Sequence, residues 1–140
     1  MPRVSLTRRI TFAAAHRYRR PEWDDARNEA VFGRCARPSY HGHTYTCDVT
    51  VTGAVDATTG FVIDLGRFDA TLDAQVREAL DHRNLNLDVA EFAEGRAIPT
   101  SENLAAWIAD RVQRHLPPPA IVARVTVAED QTLQATWERD

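Results

Sequence analysis

The stretch HGHTYTCDVTVT, residues 41–52, decides the fold of this chain. Alternate residues of an extended strand share one face, and one face of this stretch begins with two histidines and continues with aromatic or apolar side chains. The residues of that face are His41, His43, Tyr45, Cys47, Val49 and Val51. Such alternation predicts a half-buried β-strand, and it places both imidazoles at one end of the buried face.

Upstream, residues 4–16 alternate in the same way and predict a second strand. The residues of its inward face are Val4, Leu6, Arg8, Ile10, Phe12, Ala14 and His16. Residues 18–31 are polar and irregular and contain Pro21, so we predict a loop there. The two strands are predicted to pair as an antiparallel hairpin across this loop, and GAVDATTG, residues 53–60, turns the chain after the second strand.

Downstream, two segments have apolar residues at helical spacing. Residues 64–82 predict a first helix with Asp64 as its N-cap. Residues 99–116 predict a second helix, capped by Thr100 or Ser101 and ended by the prolines at 117–119. Two strands follow as a closing hairpin, and in the first of them Ile121, Ala123, Val125 and Val127 alternate up to Glu129.

The element order is therefore ββααββ. This order predicts one α+β domain over residues 1–140, with a four-stranded antiparallel sheet that carries both helices on one face. The open edges of such a sheet favour assembly into a homo-oligomer.

Composition narrows the possible partners and the compartment. The net charge of −3 and pI near 5.9 give no reason to expect nucleic acid. All 17 basic residues are arginines, which is compatible with an anionic small substrate, although a coding bias toward arginine explains most of them better. Two cysteines form no disulfide framework, and the sequence contains neither a secretory signal nor a long apolar run. We expect a cytoplasmic protein without a membrane partner.

The histidines predict a metal site. Pairing of the two N-terminal strands would bring His16 beside His41 and His43, and three neutral imidazoles leave one position open for water or substrate, as in catalytic zinc sites. The spacing of His41 and His43 alone is weak evidence for a metal site, because paired histidines on strands also occur as ordinary surface or core residues.

Cys35 is the candidate reactive thiol. It lies in the segment FGRCARP, where Arg34 and Arg37 would favour the thiolate. An isolated cysteine is more often a small buried hydrophobe, and Cys47, within the apolar strand pattern, is predicted to be one.

Four further titratable residues are of interest. Asp81 could orient His82 for proton transfer, although adjacent residues on a helix rarely face each other. Glu129 continues the inward face of a strand, and a carboxylate in that position usually binds something. His115 is predicted to interact with the C-terminal dipole of its helix.

Five motifs occur in an order that resembles the 6-pyruvoyl-tetrahydropterin synthase family, over nearly the whole chain. They are FAAAHRY, FGRCARPSYHGHTY, DHRNLNLD, PTSENLA and VTVAED. The resemblance implies the tunnelling fold, with trimers joined edge to edge and stacked in pairs as a hexamer.

By this resemblance His16, His41 and His43 bind Zn²⁺ and Cys35 is the catalytic thiol. It also implies that Asp81 and His82 complete the proton relay from a neighbouring subunit. The pterin ring would be held by a set of three residues, namely Glu129, Thr100 and Glu102. The implied reaction removes triphosphate from 7,8-dihydroneopterin triphosphate.

Three alternatives stay open. The 6-carboxy-tetrahydropterin synthases of queuosine biosynthesis share fold, zinc and substrate but release acetaldehyde. Their usual pattern has fewer residues between the cysteine and HGH than the five found here, Ala36 to Tyr40. A cysteine hydrolase built on Cys35, His82 and Asp81 would need no metal, and a non-enzymatic zinc-binding module would bind no pterin.

Overall fold

The computed structural model describes residues 3–140 and has the predicted α+β architecture. The strands are β1 (Arg3–His16), β2 (His41–Ala54), β3 (Arg83–Asn84), β4 (Ile121–Ala128) and β5 (Gln134–Glu138). The helices are α1 (Asp25–Phe32), α2 (Leu65–Leu72), α3 (Glu78–Leu80), α4 (Leu85–Asp88) and α5 (Ser101–His115). Irregular turns are a π-helical turn at Asp73–Arg77 and 3₁₀ turns at Gly33–Ala36 and Ala90–Phe92.

The strands β1 and β2 form a long antiparallel hairpin, as predicted. Their register runs from Arg3 opposite Ala54 to His16 opposite His41. The sheet order is β3-β1-β2-β4-β5. The inward face of the hairpin packs against α2 and α5 in one continuous hydrophobic core. Within that core the side chains of Val49, Phe68 and Ile108 are fully buried.

The sheet differs from the predicted four antiparallel strands, because β3 adds a short fifth strand parallel to β1. After α3 the backbone extends at Asp81 and takes a positive φ of 58° at His82. The His82 amide then donates to the Ala13 carbonyl at 2.6 Å, which starts the pairing. A strand of two residues leaves no detectable alternation in the sequence.

The segment predicted as a loop, residues 18–31, contains most of α1. The Asp24 side chain caps this helix by accepting from the Arg27 amide at 2.8 Å. The buried Asn28 amide donates to the carbonyls of Arg20 and Trp23. The helix is stabilised by these polar contacts and lacks an apolar stripe, so hydrophobic periodicity missed it.

The inward face of β4 is also different from the prediction. Ile121 is exposed, whereas Val122 and Val125 are both fully buried. The pairing of β2 with β4 shifts between Thr50 and Val51, which marks a β-bulge. The bulge inserts an extra residue and reverses the alternation on its far side, so the predicted inward positions of Ile121 and Ala123 are wrong.

The two long helical segments are confirmed, with one local irregularity. The first is interrupted by the π-helical turn, and the Arg111 guanidinium donates to the Gln75 carbonyl within that turn at 2.9 Å. The second begins after Thr100, whose side chain accepts from the Asn103 amide at 3.1 Å. No helix within residues 3–140 is long and apolar enough to span a membrane.

Candidate metal centre and its surroundings

Three histidines meet at one end of the β1–β2 hairpin. His16 and His41 are directly opposite each other in the register, and His43 lies two residues further along the same face. One ligand nitrogen from each ring lies within 4.8 Å of the others. The pairing of two alternating strands is therefore sufficient to bring together side chains that are distant in sequence, as predicted.

The ring of His16 has a defined tautomer. It is completely buried, and its Nδ1 lies 2.8 Å from the Pro99 carbonyl. Because that carbonyl can only accept, Nδ1 carries the proton and Nε2 keeps its lone pair. Burial lowers the pKa of His16 to about 4, so the ring is neutral at pH 7. A neutral imidazole held by a backbone carbonyl is the arrangement found in metal ligands.

His43 supplies the observation that tests whether these residues suit a metal. Its Nε2 is buried and has no hydrogen-bond partner among residues 3–140. A buried nitrogen without a partner costs free energy, unless something else binds it. Burial also lowers the pKa of His41. Neutral imidazoles at this spacing are ligands that zinc accepts, so the three histidines could hold a metal ion.

Glu129 lies beside this cluster, just beyond the end of β4. Its Oε1 accepts from the Tyr18 hydroxyl at 3.1 Å and from the Ser101 hydroxyl at 3.2 Å. Its Oε2 lies 3.7 Å from Nε2 of His43. Burial, followed by the charge of Glu129, raises the pKa of Tyr18, so this hydroxyl stays protonated and donates. The structure thus brings the predicted carboxylate to the predicted histidines.

Cys35 lies in the same neighbourhood, but its titration differs from the prediction. It is half-buried in the turn Gly33–Ala36, and its carbonyl accepts from the Tyr18 amide at 2.7 Å. Burial raises the pKa of its thiol, the charge of Glu129 raises it further, and Arg34 only partly opposes them. The expectation that Arg34 and Arg37 favour the thiolate is therefore wrong for this state, because desolvation outweighs the flanking charge.

Asp81 and His82 form a pair, although adjacent residues on a helix would face apart. His82 Nδ1 lies 3.1 Å from Asp81 Oδ1, because the helix ends at Leu80 and both residues lie outside it. The Ala13 amide lowers the pKa of Asp81. His82 is largely exposed, and it lines an open groove that also contains His43.

Neither of the two candidate residues at the start of α5 is among the hydrogen-bond partners found for the Glu129 carboxylate within residues 3–140. The Thr100 side chain is engaged in capping the helix, and Glu102 is exposed in a groove beside β5. The residue of this segment that reaches Glu129 is Ser101, which is buried. Sequence reasoning treated Ser101 only as a possible cap and missed Tyr18. The signal that could have indicated Tyr18 was the position of its aromatic ring only two residues after His16.

Comparison with known proteins identifies the family of this chain. The family model described as 6-pyruvoyl tetrahydropterin synthase matches residues 5–140. This chain belongs to that family. It is 39% identical over 128 residues to the 6-pyruvoyl tetrahydrobiopterin synthase of Drosophila melanogaster, covering 91% of this chain and 75% of the relative.

The structure of Caenorhabditis elegans 6-pyruvoyl tetrahydropterin synthase superposes with a TM-score of 0.93 at 33% identity. The match covers 100% of this chain and 98% of the other, and it confirms the tunnelling fold. A dihydroneopterin monophosphate aldolase of Pyrococcus furiosus is 32% identical over 121 residues, or 86% of this chain and 85% of the relative. The relatives of this chain are therefore named for different reactions of pterins.

Proposed function

We propose that this member of the 6-pyruvoyl tetrahydropterin synthase family is a zinc-dependent lyase that removes triphosphate from 7,8-dihydroneopterin triphosphate. The observation that carries the proposal is the buried Nε2 of His43, which has no hydrogen-bond partner within residues 3–140 and lies beside the imidazoles of His16 and His41 and 3.7 Å from a carboxylate. This arrangement combines a ligand set for a metal with an acceptor for the N–H groups of a flat heterocycle. The names of the relatives support the substrate class.

The protein would divide the work between recognition and proton transfer. When bound at His16, His41 and His43, zinc would polarise the hydroxyls of the substrate side chain and acidify the neighbouring C–H. Glu129 would accept the amino and ring N–H groups of the pterin in two parallel hydrogen bonds. Ser101 adds a hydroxyl beside Glu129, and Thr100 and Glu102, at the start of the same helix, stay predicted contributors to pterin binding.

Cys35 would move the proton, with Asp81 and His82 as its relay. Burial raises the pKa of the Cys35 thiol, so Cys35 would first pass its proton to His82 and then, as the thiolate, accept the proton of the acidified C–H. His82 is exposed and held by Asp81, so it can exchange protons with solvent or meet a second subunit. Assembly into a hexamer through the sheet edges, and a cytoplasmic location, stay predictions.

One incubation separates this proposal from the reactions of related enzymes. The zinc-loaded protein is mixed with 7,8-dihydroneopterin triphosphate, and the pterin product is identified by mass. A pyruvoyl product with released triphosphate supports the proposal. A carboxy product with acetaldehyde would assign the chain to the queuosine branch, and a product that has lost its side chain as an aldehyde would indicate an aldolase. Turnover that survives chelation would favour the metal-independent cysteine hydrolase.

Oligomeric contribution to the site can be tested by mixing inactive chains. If the relay comes from a neighbouring subunit, co-assembled Cys35→Ala and His82→Ala chains should recover part of the turnover that each lacks alone. Verified mixed oligomers without recovered turnover would show that each chain carries its own complete site.

A further inference from the structure

Tyr18 lies where three parts of the candidate site meet. Its amide donates to the Cys35 carbonyl at 2.7 Å, and its ring packs edge to face against His16 with centroids 4.9 Å apart. Its hydroxyl reaches Glu129, a residue 111 positions away in the sequence, at 3.1 Å. The side chain thus contacts both the recognition carboxylate and a metal-binding histidine.

The two oxygens of Glu129 have different surroundings. Oε1 accepts two hydroxyl donors, from Tyr18 and Ser101. Oε2 lies 3.7 Å from Nε2 of His43, which has no hydrogen-bond partner among the described residues. The Glu129 side chain is only 10% exposed, so water contributes little to fixing its orientation.

This spacing makes Glu129 a competing ligand for the metal. Carboxylate oxygens bind zinc at about the same distance as imidazole nitrogens, and two ligands of a tetrahedral ion with bonds near 2.0 Å lie about 3.3 Å apart. The observed 3.7 Å separation is close to that value. A small rotation of the carboxylate would fill the open position that substrate needs, and it would remove the acceptor for the pterin ring.

We propose that the Tyr18 hydroxyl, acting with Ser101, holds Glu129 out of the metal ligand set and so reserves it for the substrate. Movement of Oε2 toward the metal would strain or break two hydrogen bonds to a charged oxygen, which are stronger than neutral ones. Tyr18 is therefore a positioning residue that acts through Glu129. The inference rests on the proposed zinc site and pterin recognition.

The test uses Co²⁺ as a spectroscopic substitute for zinc in the full-length protein. Tyr18→Phe keeps the ring against His16 and removes only the hydroxyl. Tyr40→Phe is the matched control, since Tyr40 contacts the Arg17 guanidinium through its ring and is not among the donors to Glu129. In Tyr18→Phe we expect changed Co²⁺ absorption bands, because a carboxylate joins the ligands. We also expect severalfold tighter zinc binding and about tenfold weaker binding of 7,8-dihydroneopterin.

A second substitution traces the spectral change to its source. In the double variant Tyr18→Phe with Glu129→Gln, the Co²⁺ bands should match those of Glu129→Gln alone, since no carboxylate remains to bind. Co²⁺ bands and zinc affinity in Tyr18→Phe that equal those of the parent and of Tyr40→Phe would overturn the inference. A double variant that keeps the altered bands would overturn it as well.

These measurements separate the inference from the proposed function. A parent that binds Co²⁺ but no pterin, with altered bands in Tyr18→Phe, would refute pterin recognition and leave the positioning role supported. A parent that binds pterin, with unaltered Co²⁺ bands in Tyr18→Phe, would support pterin recognition and refute the positioning role. A parent that takes up no Co²⁺ or zinc would refute both.

Discussion

The inward face of the β1–β2 hairpin has two halves with opposite properties. In one half, Cys47, Val49 and Val51 are fully buried against hydrocarbon, and burial of each valine contributes about 1.5–3 kcal/mol to stability. In the other half, His16, His41 and His43 follow the same alternation, but the buried Nε2 of His43 has no hydrogen-bond partner in the part of the chain that the structure describes. Apolar side chains need only exclusion from water, whereas a buried imidazole nitrogen needs a hydrogen-bond partner or a bound ligand. The first half thus stabilises the strands that hold the three histidines together.

The largest expected effect is a loss of turnover, and it distinguishes Cys35 from Cys47, the cysteine of the apolar half. Cys35→Ala should lower turnover at least about 100-fold while zinc and pterin binding persist, because its thiol moves a proton. Cys47→Ala should keep turnover and cost about 1 kcal/mol of unfolding free energy. Steady-state kinetics and urea denaturation measure the two effects.

Labelling with a thiol reagent provides the control for that contrast. Cys35 should react faster than Cys47, because Cys47 is fully buried and burial raises its pKa to about 12. Near-normal turnover of Cys35→Ala would remove its catalytic role and return proton transfer to His82.

The next largest effect is a loss of zinc affinity on removal of one histidine from the histidine half. His43→Ala should weaken zinc binding at least about 100-fold, since it removes one of three protein ligands. His115→Ala is the matched control, because this exposed histidine lies outside the three-histidine cluster and its Nδ1 donates to the Arg111 carbonyl of its own helix. Metal analysis and competition with a chelator give the affinities. Stoichiometric zinc at unchanged affinity in His43→Ala would contradict the three-histidine site.

Acid should lower the free energy of unfolding of the metal-free protein, because His16 in the histidine half becomes protonated. The pKa of His16 is about 4 in the folded chain, against the ordinary value of 6.5 that applies in the unfolded chain. The unfolded chain therefore binds the proton more tightly. Stability due to this group is complete above pH 6.5 and is lost as the pH falls toward 4. The total loss is about 3 kcal/mol at 1.36 kcal/mol per pKa unit.

A variant isolates the contribution of His16 from the carboxylates that titrate nearby. His16→Gln keeps a donor for the Pro99 carbonyl and does not titrate. Urea unfolding of both chelated proteins at pH 7 and pH 4 should give a smaller loss for the variant. Equal losses would show that His16 is not responsible for the acid sensitivity.

The smallest effect concerns the carboxylate at the border of the histidine half. Glu129→Gln should weaken 7,8-dihydroneopterin binding about tenfold, since a charged acceptor is lost. Zinc affinity should be unchanged, because Glu129 is not one of the ligands. Pterin titrations that give equal affinities for parent and variant would remove Glu129 from recognition.

Local patterns predicted the parts of the site that lie on regular strands. The alternation of residues 4–16 and 41–52 assigned His16, His41 and His43 to the inward face, and pairing made them neighbours. The β-bulge in β4 shows where such reasoning stops, since an inserted residue reverses the alternation without any change in composition. The polar helix α1 was missed for the related reason that its stabilising contacts are individual hydrogen bonds.

By itself, the sequence determined the order of the elements, the hairpin and the histidine cluster, because each follows from spacing along one or two strands. Only the tertiary structure decided the surroundings of that cluster. Tyr18 and Ser101 reach Glu129 across 111 and 28 positions of sequence, and the raised pKa of Cys35 comes from burial that outweighs the adjacent arginine. Contacts between distant residues and the exclusion of water depend on how the elements pack, and neither leaves a periodic trace in the chain.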